Sequence, residues 1–125
     1  MKKKILLVDD DKGIVEVIKR ALEEEGFEVA FAYDGAEGFE KLQSESPDLI
    51  ILDISMPSMN GYEFMRALRA KKVIEVKPVT PVIVLTAKEE MKEMFKLEGA
   101  KEYLVKPVEA PDLIQKVRKQ LKSDD

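Results

Sequence analysis

Three observations predict an α/β architecture built on a parallel sheet. Five short apolar runs alternate with amphipathic helical stretches along the chain. Runs one, three and four are almost unbroken Ile, Leu and Val, the pattern of strands covered on both faces. The length, 125 residues with 45% hydrophobic, suits one domain with a real core. The expectation is a single doubly wound domain over residues 1–125, with five strands and five helices.

The elements follow in order. Strand one is expected over Lys4 to Val8. Ile14, Val17, Ile18, Ala21 and Leu22 then keep the spacing of one buried helical face. Strand two, Glu28 to Phe31, is shorter and more polar, as suits a sheet edge. Asp34 stands three positions before Glu37, the arrangement of a capping box opening the second helix. Asp48 to Leu52 is the third strand, and Asn60 before Glu63 repeats the capping pattern for a third helix. Strand four is placed over Pro81 to Leu85. A short fourth helix is expected from about Glu89 to Glu98, with Met91, Met94 and Phe95 inward and Gly99 as its stop. Glu102 to Val105 forms strand five. Pro111 opens the last helix, whose Leu113, Ile114, Val117 and Leu121 face the core. The Glu23 to Glu25 run reads as a solvated helix end, and Lys122 to Asp125 as a frayed terminus.

Composition removes several functions. The chain has no Cys and no His, which excludes disulfides, thiolate nucleophiles, zinc fingers and Ser-His-Asp triads. Twenty-one Lys and Arg against 25 Asp and Glu leave a net charge of −4, which argues against direct nucleic-acid binding. The basic start, Met1 to Lys4, is followed by an apolar run that ends at Asp9, too short for a secretory segment. No apolar stretch reaches the length of a membrane span. A cytoplasmic protein without membrane insertion is expected.

The chemistry stands at the strand ends. Asp9 and Asp10 follow run one, Asp53 ends run three, Thr86 follows run four and Lys106 follows run five. Right-handed crossovers bring the carboxyl ends of parallel strands to one edge, where open α/β sheets bind ligands. Three carboxylates, a hydroxyl and an ammonium therefore converge. Crowded carboxylates repel one another and call for a cation, and an all-oxygen donor set suits Mg²⁺, with Mn²⁺ as an alternative. An ammonium and a hydroxyl beside such a cluster suit an arriving phosphoryl group. Asp53 is the natural nucleophile, because a carboxylate can form an acyl phosphate.

Ile5-Leu6-Leu7-Val8-Asp9-Asp10-Asp11, the stretch from Asp48 to Pro57, Asn60-Gly61-Tyr62-Glu63, Val84-Leu85-Thr86-Ala87 and the stretch from Gly99 to Pro107 together resemble response-regulator receiver domains of two-component signalling. The match runs in order over essentially the whole chain. The resemblance implies a flavodoxin-like sheet in strand order 2-1-3-4-5. It implies that Asp53 accepts a phosphoryl group from a sensor histidine kinase or phosphotransfer protein. Mg²⁺ would be held by Asp9, Asp10, Asp53 and the backbone carbonyl of Ser55, while Lys106, expected before a cis bond to Pro107, would pair with the phosphoryl oxygens. Thr86 would move toward the phosphoryl group and Tyr103 would turn inward behind it. Ala87 is small enough to admit the donor, and Ser55 and Lys88 would tune the lifetime of the phosphoryl group. The output would be a surface on the fourth helix, strand five and the fifth helix that binds a downstream protein. The expected protein is thus a stand-alone signalling switch rather than an enzyme.

Simpler readings compete. Asp9, Asp10 and Asp11 all suit a helix N-cap; with Asp53 and Lys106 in register, capping is kept for Asp11 alone. Thr86 suits a cap of the fourth helix, and Tyr103 alone reads as a half-buried strand aromatic. Two other functions use the same residues: a Mg²⁺-dependent phosphohydrolase acting on small phosphate esters, and a pseudo-receiver that binds partners without phosphorylation. Such hydrolases commonly carry a second acid two residues after the nucleophile, where this chain has Ser55. The intact set of Asp9, Asp10, Asp53, Thr86 and Lys106 argues against the pseudo-receiver. Two departures from the family pattern are the long connection from Lys71 to Thr80 and the short stretch from Thr86 to Lys106. With Val108 where Phe is frequent, they predict altered or weakened dimerisation through the output face.

Overall fold

The computed structural model describes residues 2–54, 64, 80–86 and 100–122. Strands β1 (Lys4–Val8), β2 (Glu28–Ala32), β3 (Leu49–Asp53), β4 (Val82–Thr86) and β5 (Glu102–Val105) form one parallel sheet in the order β2-β1-β3-β4-β5. This is the expected topology. Three strands differ from the sequence reading by one residue at one or both ends. β2 extends to Ala32, while β3 and β4 begin at Leu49 and Val82 and include Asp53 and Thr86 as their last residues.

Alternation along the strands builds two cores. Leu6, Val8, Ile50, Leu52, Val82 and Val84 turn to one face, where Ala32, Leu42 and Phe64 complete the cluster. Ile5, Leu7, Leu49, Ile51, Ile83 and Leu85 turn to the other, against Val15, Ile18, Leu22, Leu113, Val117 and Leu121. Helix α1 (Lys12–Glu24) and helix α3 (Ala110–Lys122, the fifth helical stretch of the sequence) therefore share one face. Helix α2 (Gly35–Glu45) covers the opposite face together with Phe64, itself in a helical segment. The sheet is doubly wound. The rest of the third helical stretch and the whole fourth lie outside the described residues.

Helices α1 and α2 begin as their sequence dictates, while α3 begins at Ala110, one residue before the expected Pro111. Asp11 caps α1, its side chain accepting the Ile14 N–H. Asp34 caps α2 by accepting the Glu37 N–H at 2.8 Å. The Glu37 carboxylate reaches back, but to the Tyr33 N–H at 2.7 Å, one residue before the cap. α3 buries Leu113, Val117 and Leu121 as expected, with Ile114 partly buried.

The inward face of α1 follows expectation at Ile18 and Leu22, with Ile14 partly buried, and departs from it at Val17. Val15, Ile18 and Leu22 are buried, whereas Val17 is 66% exposed. Val15 stands one turn before both Ile18 and Lys19, so a face centred on 15, 18 and 22 satisfies helical spacing as well as one through 14, 17 and 21. The packing against β1 and α3 selects the former.

At the amino-terminal edge of the sheet Lys4 ties β1 to β2, to α2 and to Asp48, the residue before β3. Its Nζ lies 3.1 Å from Glu28 of β2 and 3.0 Å from Glu45 of α2. Its backbone N–H donates to the Asp48 carboxylate at 2.8 Å, and the Asp48 N–H returns a 2.8 Å bond to the Lys4 carbonyl.

Candidate functional site

Among the described residues, the buried polar or charged side chains are Asp9, Asp53 and Thr86, and all three stand at the carboxyl edge of the sheet. Burying a carboxylate is costly unless it is paired or protonated, so two on one edge imply a partner. Lys106, directly after β5, supplies it. Its Nζ lies 3.0 Å from Asp53 Oδ2 and 3.3 Å from Asp9 Oδ2. Residues far apart in the chain thus meet in one site.

Backbone hydrogen bonds carry the sheet past its strand ends and hold these residues in place. The Asp9 N–H donates to the Ala32 carbonyl at 3.1 Å, the Ile54 N–H to Leu85 at 2.9 Å, and the Lys106 N–H to Thr86 at 2.7 Å. The Lys106–Pro107 peptide bond is cis, as expected. Asp9 Oδ1 accepts the Asp11 backbone N–H at 2.9 Å.

The electrostatics follow the burial. Desolvation pushes the Asp9 carboxyl up to about 6; the Asp11 amide opposes this, Asp53 adds to it and Lys106 opposes it. For Lys106, burial disfavours the ammonium, but the hydrogen bond and charge of Asp53, with Asp9, outweigh it and hold its pKa above the ordinary value. The site therefore carries an excess of negative charge that one ammonium only partly offsets.

Asp10 is exposed at the mouth of the same cluster, and ligand oxygens of Asp9, Asp10 and Asp53 all lie within 4.8 Å of one another. Opposite oxygens in an octahedral Mg²⁺ shell are about 4 Å apart, so small side-chain adjustments would bring all three into one shell. The all-oxygen donor set and the negative excess fit a hard divalent cation.

Strand alternation sends Thr86 and Tyr103 to the other face of the sheet from Asp53. Asp53 continues the Leu49 and Ile51 face of β3, whereas Thr86 continues the Val82 and Val84 face of β4. Tyr103, partly buried, packs on the same cluster as Val82 and Val84 and pairs with Val84 across the sheet. The two expected switch residues thus share one face. Ser55, Ala87 and Lys88 lie outside the described residues, as does the fourth helix.

Two contributors have at most an indirect signal in the sequence. The Asp11 amide and the Ala32 carbonyl are main-chain groups, and their roles emerge only when β1, β2 and α1 are assembled. The capping pattern at Asp11 points to the first.

The model of the family described as "Response regulator receiver domain" matches residues 5–118. Alkaline phosphatase synthesis transcriptional regulatory protein PhoP of Bacillus subtilis (strain 168) is 39% identical over 120 residues, which are 94% of this chain and 48% of that protein. The chain thus spans about half the length of this relative. Among solved structures, chemotaxis response regulator CheY4 of Vibrio cholerae is similar with a TM-score of 0.86 and 35% identity, covering 97% of this chain and 100% of that one. The CheY-like receiver domain protein of Methanospirillum hungatei JF-1 gives 0.86 and 34%, covering 98% and 96%. The receiver domain of Francisella response regulator 1452 gives 0.87 and 32%, covering 99% and 100%. A matched sheet topology, an acid-lined carboxyl edge and a family model running from β1 into α3 converge, and the chain belongs to the response regulator receiver domain family.

Proposed function

We propose that this receiver domain is a phosphorylation switch in which Asp53 accepts a phosphoryl group from the phosphohistidine of a sensor histidine kinase or phosphotransfer protein. The observation that carries the reading is the ammonium of Lys106 at 3.0 Å from Asp53 and 3.3 Å from Asp9, on an edge otherwise rich in buried acid. An Asp53 oxygen attacks phosphorus as the P–N bond of the donor breaks. The electron pair leaves with the imidazole nitrogen, which takes a proton from water, and an acyl phosphate remains on Asp53. Lys106 neutralises charge on the transferring oxygens, and the Thr86 hydroxyl donates to one of them.

Asp9, Asp10, Asp53 and the Ser55 carbonyl are the proposed ligands of Mg²⁺, or of Mn²⁺ in its place. When bound, the ion adds charge neutralisation that one lysine cannot supply. Inward rotation of Tyr103 and movement of Thr86 then bias a surface made by the fourth helical stretch, β5 and α3, shifting an equilibrium between two states. Ser55 and Lys88 set the lifetime of the acyl phosphate.

The reading extends to a single cytoplasmic domain over residues 1–125 whose output is binding of a downstream protein, with no nucleic-acid contact of its own. Among the described residues no helix is long and apolar enough to cross a membrane. A second arrangement is favoured by one observation: the PhoP relative, named a transcriptional regulatory protein, is about twice as long as the matched region. In that arrangement the same switch acts on a covalently attached output segment.

Intact-protein mass spectrometry after incubation with acetyl phosphate, with and without Mg²⁺, tests the chemistry. A single Mg²⁺-dependent phosphoryl adduct on the wild type, absent from Asp53→Asn, is expected. An adduct that survives in Asp53→Asn removes Asp53 as the acceptor. If acetyl phosphate gives no adduct, a beryllofluoride titration separates a kinase-dependent receiver from a pseudo-receiver.

A further inference from the structure

Asp9 is fully buried, and its two carboxylate oxygens have different partners. Oδ2 faces the Lys106 ammonium at 3.3 Å, while Oδ1 accepts the Asp11 backbone N–H at 2.9 Å. Lys106 rides on a long flexible stem. The Asp11 amide does not move so freely, because it belongs to the residue that caps α1. The Asp11 carboxylate accepts the Ile14 N–H at 3.1 Å, and the Asp11 carbonyl accepts the Val15 N–H at 3.0 Å. Together these bonds fix the extended Asp11 backbone, with φ −88° and ψ 105°, at the head of the helix. Space is tight there as well: a Cβ at Gly13 would come within 3.3 Å of Asp11 Oδ1.

We infer that Asp11 is a positioning residue for the candidate metal site, its side-chain cap on α1 holding the backbone N–H that orients Asp9. The inference rests on the metal-dependent reading proposed above. Asp11 is exposed and stands outside the three-carboxylate cluster. Its contribution runs through the helix end, not through charge. The three consecutive acids thereby differ in role, with Asp9 and Asp10 facing the ion and Asp11 holding the loop in the geometry that lets them.

Electron paramagnetic resonance of free Mn²⁺ during titration of the whole chain provides the test, with far-UV circular dichroism showing that each variant is folded. Asp11→Ala, which loses the cap, should weaken Mn²⁺ binding about three- to tenfold, and Asp11→Asn, which keeps the cap without the charge, should stay within about twofold of wild type. Val117→Ala, a core deletion in α3, should leave the affinity unchanged. Wild-type affinity in Asp11→Ala overturns the inference. Equal losses in Asp11→Asn and Asp11→Ala also overturn it, because charge would then be the cause. An equal loss in Val117→Ala overturns it too, as general loosening. Absence of Mn²⁺ binding by the wild type would instead defeat the metal-dependent reading on which the inference stands.

Discussion

The two edges of the sheet use the same ingredients to opposite ends. At the amino-terminal edge Lys4 lies 3.0 Å from Glu45 and 3.1 Å from Glu28; at the carboxyl edge Lys106 lies 3.0 Å from Asp53 and 3.3 Å from Asp9. Distances alone do not distinguish them. The side chains of Glu45 and Glu28 are 34% and 56% exposed, however, while those of Asp9 and Asp53 are 0% and 2% exposed. Water screens the first group and shares its hydrogen bonding, so Lys4 acts as a brace of small energetic weight. The second group has lost that solvent. Its charges interact strongly and remain unbalanced, which leaves it ready to gain from a cation or a phosphoryl group.

Replacing each lysine should expose the contrast most sharply. Lys106→Met is expected to slow Mg²⁺-dependent phosphorylation by acetyl phosphate on the order of 10–100-fold, read as the rate of adduct formation by mass spectrometry. A rate within twofold of wild type would make the carboxyl edge another brace. Asp10→Ala comes next, with an expected loss of about tenfold in Mg²⁺ affinity by calorimetric titration, since two carboxylates hold the ion less well than three. Unchanged affinity would remove Asp10 from the ligand set.

Asp9→Asn tests the unbalanced charge itself. In metal-free buffer at pH 8 the variant should melt about 2–5 °C above the wild type, because it removes a buried negative charge beside Asp53. The pH dependence has a definite sign. Asp9 keeps its proton up to about pH 6 in the folded state, against an ordinary value of 3.8. Wild-type stability therefore falls as pH rises through that window, and the variant escapes the fall. The advantage should vanish below pH 4 and shrink or invert when Mg²⁺ is added, because only the wild type offers the full ligand set. A melting difference independent of both pH and Mg²⁺ would break the argument. The smallest effect is reserved for the other edge: Lys4→Met should lower the melting temperature by no more than about 3 °C and leave the phosphorylation rate unchanged.

How much of this is readable in the chain differs by element. The fully apolar runs Ile5–Val8, Leu49–Leu52 and Val82–Leu85 specify buried strands, and the acids and Thr that follow them mark the carboxyl edge where the candidate site lies. The strand ends differ from expectation by one residue for a physical reason. Asp53 and Thr86 end the apolar pattern but not the backbone ladder, which continues through the Ile54 and Lys106 amides. The inward face of α1 is ambiguous in sequence because Val17 and Val15 both satisfy helical spacing, and only the packing of β1 and α3 decides between them. The Lys4 brace is invisible there, since its acids come from three parts of the chain that sequence does not align. At the site, Asp9, Asp53, Thr86 and Lys106 are legible because each occupies the same place in its own unit. Ser55, Lys88 and the fourth helix fall outside the described residues, as does nearly all of the connection from Lys71 to Thr80.

The alternation that sends Asp53 to the face of Leu49 and Ile51 also restricts how the chain can vary. A one-residue insertion or deletion within β3 would carry Asp53 to the opposite side of the sheet. The same slip would turn Ile50 and Leu52 into the layer now filled by Leu49 and Ile51. Chemistry and core are thus indexed by a single count along the strand. Substitution can erase the proposed acceptor, whereas a one-residue slip in β3 would move it only together with the core residues of that strand.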